Sequence, residues 1–197
     1  MSNRGNTLFP VFLKLENFRV LIIGGGIIGL EKISAVLNNS PLTDVTLIAE
    51  SILPELNDFA AKFPNTKIIR KKFEATDLNE MDFVISAVND KVLSAEIASL
   101  AKARRILINV ADTPDLCDFY LSSIVKKGDL KIAISTNGKS PTMAKRVKEV
   151  LNDSFPEETQ SILDNLGKIR AELSGDFANK VKELNRITSV LVEKRVN

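Results

Sequence analysis

An α/β fold, a parallel sheet with helices on both faces followed by a β-hairpin and a small helical region, is predicted by three features of the sequence. An apolar run at 20–23 enters a glycine turn and leaves it directly into a helix-compatible stretch. Apolar, β-branched runs then alternate with helical patterns as far as residue 110. Beyond Asp112-Thr113-Pro114 the alternation stops, and two short apolar runs around Lys126-Lys127-Gly128-Asp129 give way to helical periodicity. Parallel strands need long crossover connections, usually helices, so the alternation points to a parallel sheet.

Composition narrows the class. The 197 residues are 44% hydrophobic and 26% charged with a net charge of +2, which suits a globular protein holding one such sheet and something smaller. A single cysteine, Cys117, can form no internal disulfide and fits a reducing cytoplasm. The first residues carry no apolar signal core, and no run approaches the roughly 20 apolar residues of a membrane span. A cytoplasmic protein without a membrane partner is expected. Histidine is absent, which removes the usual base near neutral pH and the commonest transition-metal ligand. No metal site is expected, and acid–base chemistry falls to carboxylates, lysine, tyrosine or the lone thiol.

Taken in order, residues 8–15 are apolar and interrupted by Pro10, and predict an edge segment laid against the sheet. The first strand then runs into Gly24-x-Gly26-x-x-Gly29. In such a turn Gly24 lets the chain leave the strand sharply, Gly26 lets backbone amides approach a pyrophosphate, and Gly29 lets the helix pack closely on the sheet. The free N–H groups of the first helical turn and the positive end of the helix dipole face the phosphates. A glycine-rich turn can simply reverse the chain, but here a strand precedes and a helix follows. A dinucleotide site is the reading.

The helix extends to about residue 37, where Asn38-Asn39-Ser40-Pro41 stops it. A second strand, 45–49, ends at Glu50, which stands 21 positions after Gly29. An acid about 20 residues on binds the ribose hydroxyls and repels a 2′-phosphate, so Glu50 favours NAD over NADP. The competing reading makes Glu50 a surface residue leading into a helix over 52–63 capped by Ser51. A short strand at 66–70 precedes the basic trio Arg70-Lys71-Lys72; a buried-type strand at 83–87 follows, then a helix over 91–103 capped by Asn89 or Asp90, then a strand at 106–110. Ligands of such sheets bind at the carboxyl ends of the strands.

Asp112 follows the last of these strands, on the edge where a nicotinamide should lie, and no histidine competes for the role of base. A carboxylate there can accept a proton as a hydride leaves for the cofactor; equally, Asp-Thr-Pro is ordinary turn chemistry. The runs at 119–125 and 130–135 predict a hairpin. Ser140-Pro141 predicts a capped helix to about residue 155. Apolar stripes at Ile162, Leu166, Ile169 and Leu173, and at Phe177, Val181, Leu184, Ile187 and Leu191, are separated by Gly175 and should bury against the body or a partner chain. Between Lys126 and Lys148 seven cations face one acid, Asp129, with no aromatic residue interleaved. A polyanionic partner is implied, and a small polycarboxylate fits better than a nucleic acid. Tyr120 and Cys117 read as packing residues; a Tyr-x-x-x-Lys pair is broken by Ile124.

Several of these stretches together resemble one family. Leu8-Phe9-Pro10-Val11-Phe12-Leu13, Asn109-Val110-Ala111-Asp112, Cys117-Asp118-Phe119 and the run from Gly128 through Ser135-Thr136-Asn137-Gly138-Lys139-Ser140-Pro141 occur in the order found in the precorrin-2 dehydrogenase and sirohydrochlorin ferrochelatase family, the first module of sirohaem synthases. The resemblance covers roughly residues 8–155. It implies a Rossmann-type NAD-binding domain (1–113), a central dimerisation and hairpin region (114–142) and a helical domain (143–197). It also implies oxidation of precorrin-2 to sirohydrochlorin with NAD, and in some members insertion of ferrous iron. Carried onto this chain, it implies cofactor contacts at Ile27, Ile28, Glu50 and Ser51, a catalytic role for Asp112, and a tetrapyrrole cleft lined by Thr136, Gly138, Lys139 and Ser140. A homodimer through the hairpin region is the expected assembly. The alternative from another class is a non-catalytic NAD-sensing regulatory module.

Overall fold

The computed structural model describes residues 5–173 and 177–188. Five parallel strands form the first sheet: β1 (Arg19–Gly25), β2 (Asp44–Ile52), β3 (Thr66–Arg70), β4 (Phe83–Ser86) and β5 (Leu107–Val110). Their order is β3-β2-β1-β4-β5, so the chain winds outward from β1 in both directions. The helices α1 (Ile27–Asn39), α2 (Pro54–Ala60) and α3 (Lys91–Ala103) connect β1 to β2, β2 to β3 and β4 to β5, while β3 reaches β4 through a short 3-10 turn, Ala75–Leu78. As expected, this is a doubly wound, Rossmann-type sheet.

Its core divides by strand face. Val20, Ile22, Val45, Leu47, Phe83 and Ile85 pack with Ile33, Val36 and Leu37 of α1 and Leu56 of α2. On the other face Leu21, Ile23, Ile48, Val84, Ile108 and Val110 pack with Ile97, Ala98 and Ala101 of α3. Successive side chains of a strand point to opposite faces, and both faces here are covered. The strands therefore read as continuous apolar runs.

Three expectations need correction. The 8–15 segment is not laid against the sheet: residues 5–14 form no regular element, and Phe9 and Phe12 are 86% and 71% exposed. Pro10 supplies no N–H for a ladder, and the first apolar side chains to reach the core are Leu15 and Phe18. Ser51 does not cap a helix over 52–63, because β2 continues through it to Ile52, which pairs with Gly25 across an irregular register. Leu53 N–H then donates to Gly25 O (2.9 Å), and Pro54, at a first helical position, starts α2 late. The hairpin also begins later than 119. Phe119 and Leu121 remain packed on the first core, where Phe119 meets the Phe83 ring edge-on at 5.5 Å.

The described chain divides into two units after Leu121. In the second, β6 (Ser123–Lys127) and β7 (Leu130–Ile134) form a two-stranded antiparallel sheet. Gly128 opens its two-residue turn with φ +61, a backbone open to glycine without cost. Helix α4 (Pro141–Ser154) packs on both strands, followed by α5 (Thr159–Glu172) and α6 (Phe177–Thr188). Gln160 of α5 ties the hairpin tip, accepting from Asp129 N–H (2.7 Å) and donating to the Asp129 carboxylate (3.0 Å). The predicted stripes stay half-buried or exposed: among the described residues α5 buries only Thr159 and α6 buries none. Gly175 and Leu191 lie outside the described residues. Among the described residues no helix is long and apolar enough to cross a membrane.

Candidate functional site

The site of the first unit is built on the carboxyl ends of β1, β2, β4 and β5, beside the gap where the strand order reverses between β1 and β4. Gly24 has φ +119, and a Cβ placed on it would stand 2.5 Å from Ala87 O at the end of β4. Gly29 lies on the Gly24 carbonyl, which a Cβ would meet at 2.1 Å. Both positions need glycine, one for the turn and the approach of β4, the other for seating α1 on the sheet. Gly26 differs: it caps α1 in an extended conformation, is exposed, and has open space where a Cβ would project.

Close approach of a dinucleotide pyrophosphate needs such open space, and the chain's residues fit such a group. The N–H groups of Ile27, Ile28 and Gly29 precede the first intrahelical bond, Leu30 N–H to Gly26 O (2.9 Å), and are free to face an anion. Ile27 and Ile28 are exposed at this end of α1. Sequence reasoning passed over Gly25, whose Cβ would stand 2.3 Å from Ser51 O. Its signal is tertiary: β2 runs alongside the turn itself. Glu50 and Ser51 accordingly lie within the irregular stretch of β2 between the Ile48 and Ile52 pairings, both exposed, beside Gly24 and Gly25. Glu50 is therefore inside the strand rather than past its end, and Lys72 reaches its carboxylate at 3.8 Å.

Asp112 stands just past β5 with φ +56 and an exposed side chain. Aspartate tolerates this left-handed conformation better than most residues. Ala111 N–H donates to Ser86 O (2.9 Å), continuing the ladder with β4, and Thr113 N–H turns back to Val110 O (3.3 Å). Asp112 is thus both a turn residue and a carboxylate presented at the strand ends. The loop that carries it is closed by Cys117. Its sulfur accepts from Val110 N–H (3.2 Å) and lies 3.2 Å from Val110 O and 3.4 Å from Thr113 O as a thiol donor. Buried Asn109 donates to Phe119 O (2.8 Å), and Asp118 brackets Ile108, its N–H donating to Ile108 O (2.7 Å) while its carboxylate accepts from Ile108 N–H (3.2 Å). Burial pushes the Cys117 thiol pKa up, with a smaller opposing effect of the Val110 hydrogen bond. Cys117 does more than fill space.

The second unit holds the other candidates. Thr136 and Ser140 close a turn on each other, Ser140 N–H donating to Thr136 Oγ1 and Thr136 Oγ1 to Ser140 O (3.2 Å each), with Asn137 and Gly138 left-handed between them. Ser140 Oγ also accepts from Met143 N–H (3.1 Å), capping α4. These hydroxyls serve the turn, whereas Gly138 and Lys139 are exposed. Of the basic run, Lys127 is paired with Glu157 and Arg146 with Glu149 (2.7 Å). Lys126, Lys139, Lys145 and Lys148 are exposed.

Comparison with known proteins agrees with this arrangement. A family model described as "Putative NAD(P)-binding" matches residues 11–123, and one described as "Sirohaem biosynthesis protein central" matches residues 127–154. Proteins named "Siroheme synthase" from Ruthia magnifica subsp. Calyptogena magnifica and Tolumonas auensis are 35% and 34% identical over 176 and 181 residues. These matches take in 88% and 91% of this chain but only 34% and 36% of those proteins, so the chain spans about a third of their length. A solved structure titled "SirC, precorrin-2 dehydrogenase" superposes with a TM-score of 0.72 at 28% identity, covering 91% of this chain and 89% of that one. With a nicotinamide-type nucleotide fold over its first part and the sirohaem segment directly behind it, the chain belongs to the NAD(P)-binding family of sirohaem biosynthesis, the precorrin-2 dehydrogenase family its sequence resembles.

Proposed function

We propose that the protein oxidises precorrin-2 to sirohydrochlorin with NAD as hydride acceptor. The observation that carries this reading is the meeting, on one edge of one sheet, of an open glycine cradle at Gly26, an acid at Glu50 and a solvent-facing carboxylate at Asp112. Gly24, Gly26 and Gly29 shape the pyrophosphate cradle, and the Ile27, Ile28 and Gly29 amides hold the phosphates. Glu50 and Ser51 receive the ribose, where the charge of Glu50 favours NAD over NADP. Asp112 is placed to take a proton from the substrate carbon framework; a bound nicotinamide would supply the hydride acceptor.

The substrate carries eight carboxylates, and the exposed lysines of the second unit, with Lys139 at the turn Thr136, Gly138 and Ser140 form, are the groups that would receive them. We assign dimerisation to the hairpin. A two-stranded sheet is marginal alone, and β6–β7 has only one pairing among the described residues. Work in the cytoplasm suits this chemistry. The reading as a non-catalytic NAD sensor finds no support in the relatives.

The test mixes the protein with precorrin-2 and NAD and follows reduced nicotinamide. Asp112→Ala is expected to retain NAD affinity and to lose about 100-fold or more in turnover; full turnover would remove Asp112 from the reaction. Ferrous iron added anaerobically to the product then reads out metal insertion, with iron as substrate.

A further inference from the structure

Three cations follow one another where β3 ends: Arg70, Lys71 and Lys72. They are not equivalent. Lys71 N–H donates to Ala49 O (3.2 Å), carrying the β2–β3 ladder past the end of β3. The Lys71 ammonium is held by Asp77 at 2.8 Å and Glu74 at 3.1 Å. Those carboxylates belong to a short 3-10 turn, Ala75–Leu78, closed by reciprocal bonds between the Glu74 and Asp77 side chains and each other's backbone N–H. Asp77 first, then Glu74, raise the Lys71 pKa above its ordinary value. The backbone on either side of Lys72 is therefore tied, to β2 at one end and to the turn at the other. From that tied position Lys72 reaches Glu50 at 3.8 Å, both side chains well exposed at 79% and 65%.

An ion pair so exposed contributes little to stability, yet a cation beside Glu50 changes what that acid can repel. We propose that Lys72 is a specificity-determining residue of the nucleotide site, offsetting the Glu50 charge so that a dinucleotide with a 2′-phosphate is admitted beside one with a free 2′-hydroxyl. This rests on the reading of Glu50 as the ribose acid. Alone, Glu50 would exclude the 2′-phosphate by like-charge repulsion. With Lys72 next to it the local charge is near neutral, and the ammonium offers hydrogen bonds that phosphate oxygens accept. Lys71 is the positioning residue, since its anchor sets where Lys72 leaves the backbone.

Calorimetric titration of the full chain with NAD and with NADP, at about 20 mM and about 300 mM salt, tests this. Lys72→Ala is expected to weaken NADP about five- to tenfold and to change NAD by less than about twofold, with the difference shrinking at high salt. Glu50→Gln is expected to move the preference toward NADP. An equal NAD-to-NADP ratio in wild type and Lys72→Ala, with Glu50→Gln shifting it, overturns the role of Lys72 alone. If Glu50→Gln leaves both affinities unchanged, the ribose reading of Glu50 itself is overturned.

Discussion

At the residue scale the four glycines from 24 to 29 separate into a tightly packed group and an open one by what a Cβ would meet. Gly24, Gly25 and Gly29 would each drive a Cβ into backbone oxygen, at 2.5, 2.3 and 2.1 Å, while Gly26 has nothing within 4 Å. Gly29→Ala should therefore destabilise the fold by about 1–3 kcal/mol, seen as a lower urea midpoint. Gly26→Asp should leave that midpoint nearly unchanged and abolish dinucleotide binding in calorimetry, because the new charge faces the pyrophosphate. Retained binding in the Gly26 variant would refute the cradle. The spacing pattern alone shows that glycines are needed here; the division of labour depends on Ala87 and Ser51, which come from β4 and β2 and leave no mark in the motif.

At the element scale the loop after β5 is a carboxylate held on a closed strap. The strap's clasp is a thiol within reach of two carbonyls and two N–H donors, Val110 N–H and Asn109 Nδ2, and the fold raises the Cys117 pKa above its ordinary value, chiefly by burial. A raised folded pKa favours the protonated form, so the stability it contributes is complete below the unfolded value and is lost as pH climbs through that value toward the folded one. Melting temperature should fall from about pH 8 to pH 10, and fall less steeply in Cys117→Ala. Equal slopes would show the clasp to be inert. The sequence placed Asp112 correctly at the end of a strand, since alternation of apolar runs locates strand ends. Cys117 does pack on the core as the sequence suggests, but its role as a clasp is not legible, because sulfur hydrogen bonds across a loop follow no spacing rule. Glu50 was misplaced by its element: the length of β2 is decided by pairing with Gly25, a tertiary effect that overrides the local signal for a cap at Ser51.

At the scale of the whole molecule, burial is unevenly shared. Beyond Leu121 only Val125, Ala144 and Thr159 are buried among the described residues, whereas the sheet of the first unit is covered on both faces. A fragment 1–121 should melt cooperatively and bind dinucleotide, and a fragment 122–197 should show helical signal without a cooperative transition; circular dichroism and calorimetry on the two pieces check this. The exposed apolar stretch at Phe9 and Phe12 and the shallow stripes of α5 and α6 were legible as apolar but not as unburied, since a hydrophobic pattern says that a surface wants cover and not where the cover comes from. The glycine turn is the opposite case. Ile23 O takes Ala87 N–H at 2.7 Å and Gly25 O takes Leu53 N–H at 2.9 Å, so the loop proposed to receive phosphate is sewn into the two strands beside it. It can open only by breaking the centre of the sheet. A nucleotide bound there would meet a finished mould, and the ordering entropy of its capture would fall on the ligand rather than on the protein.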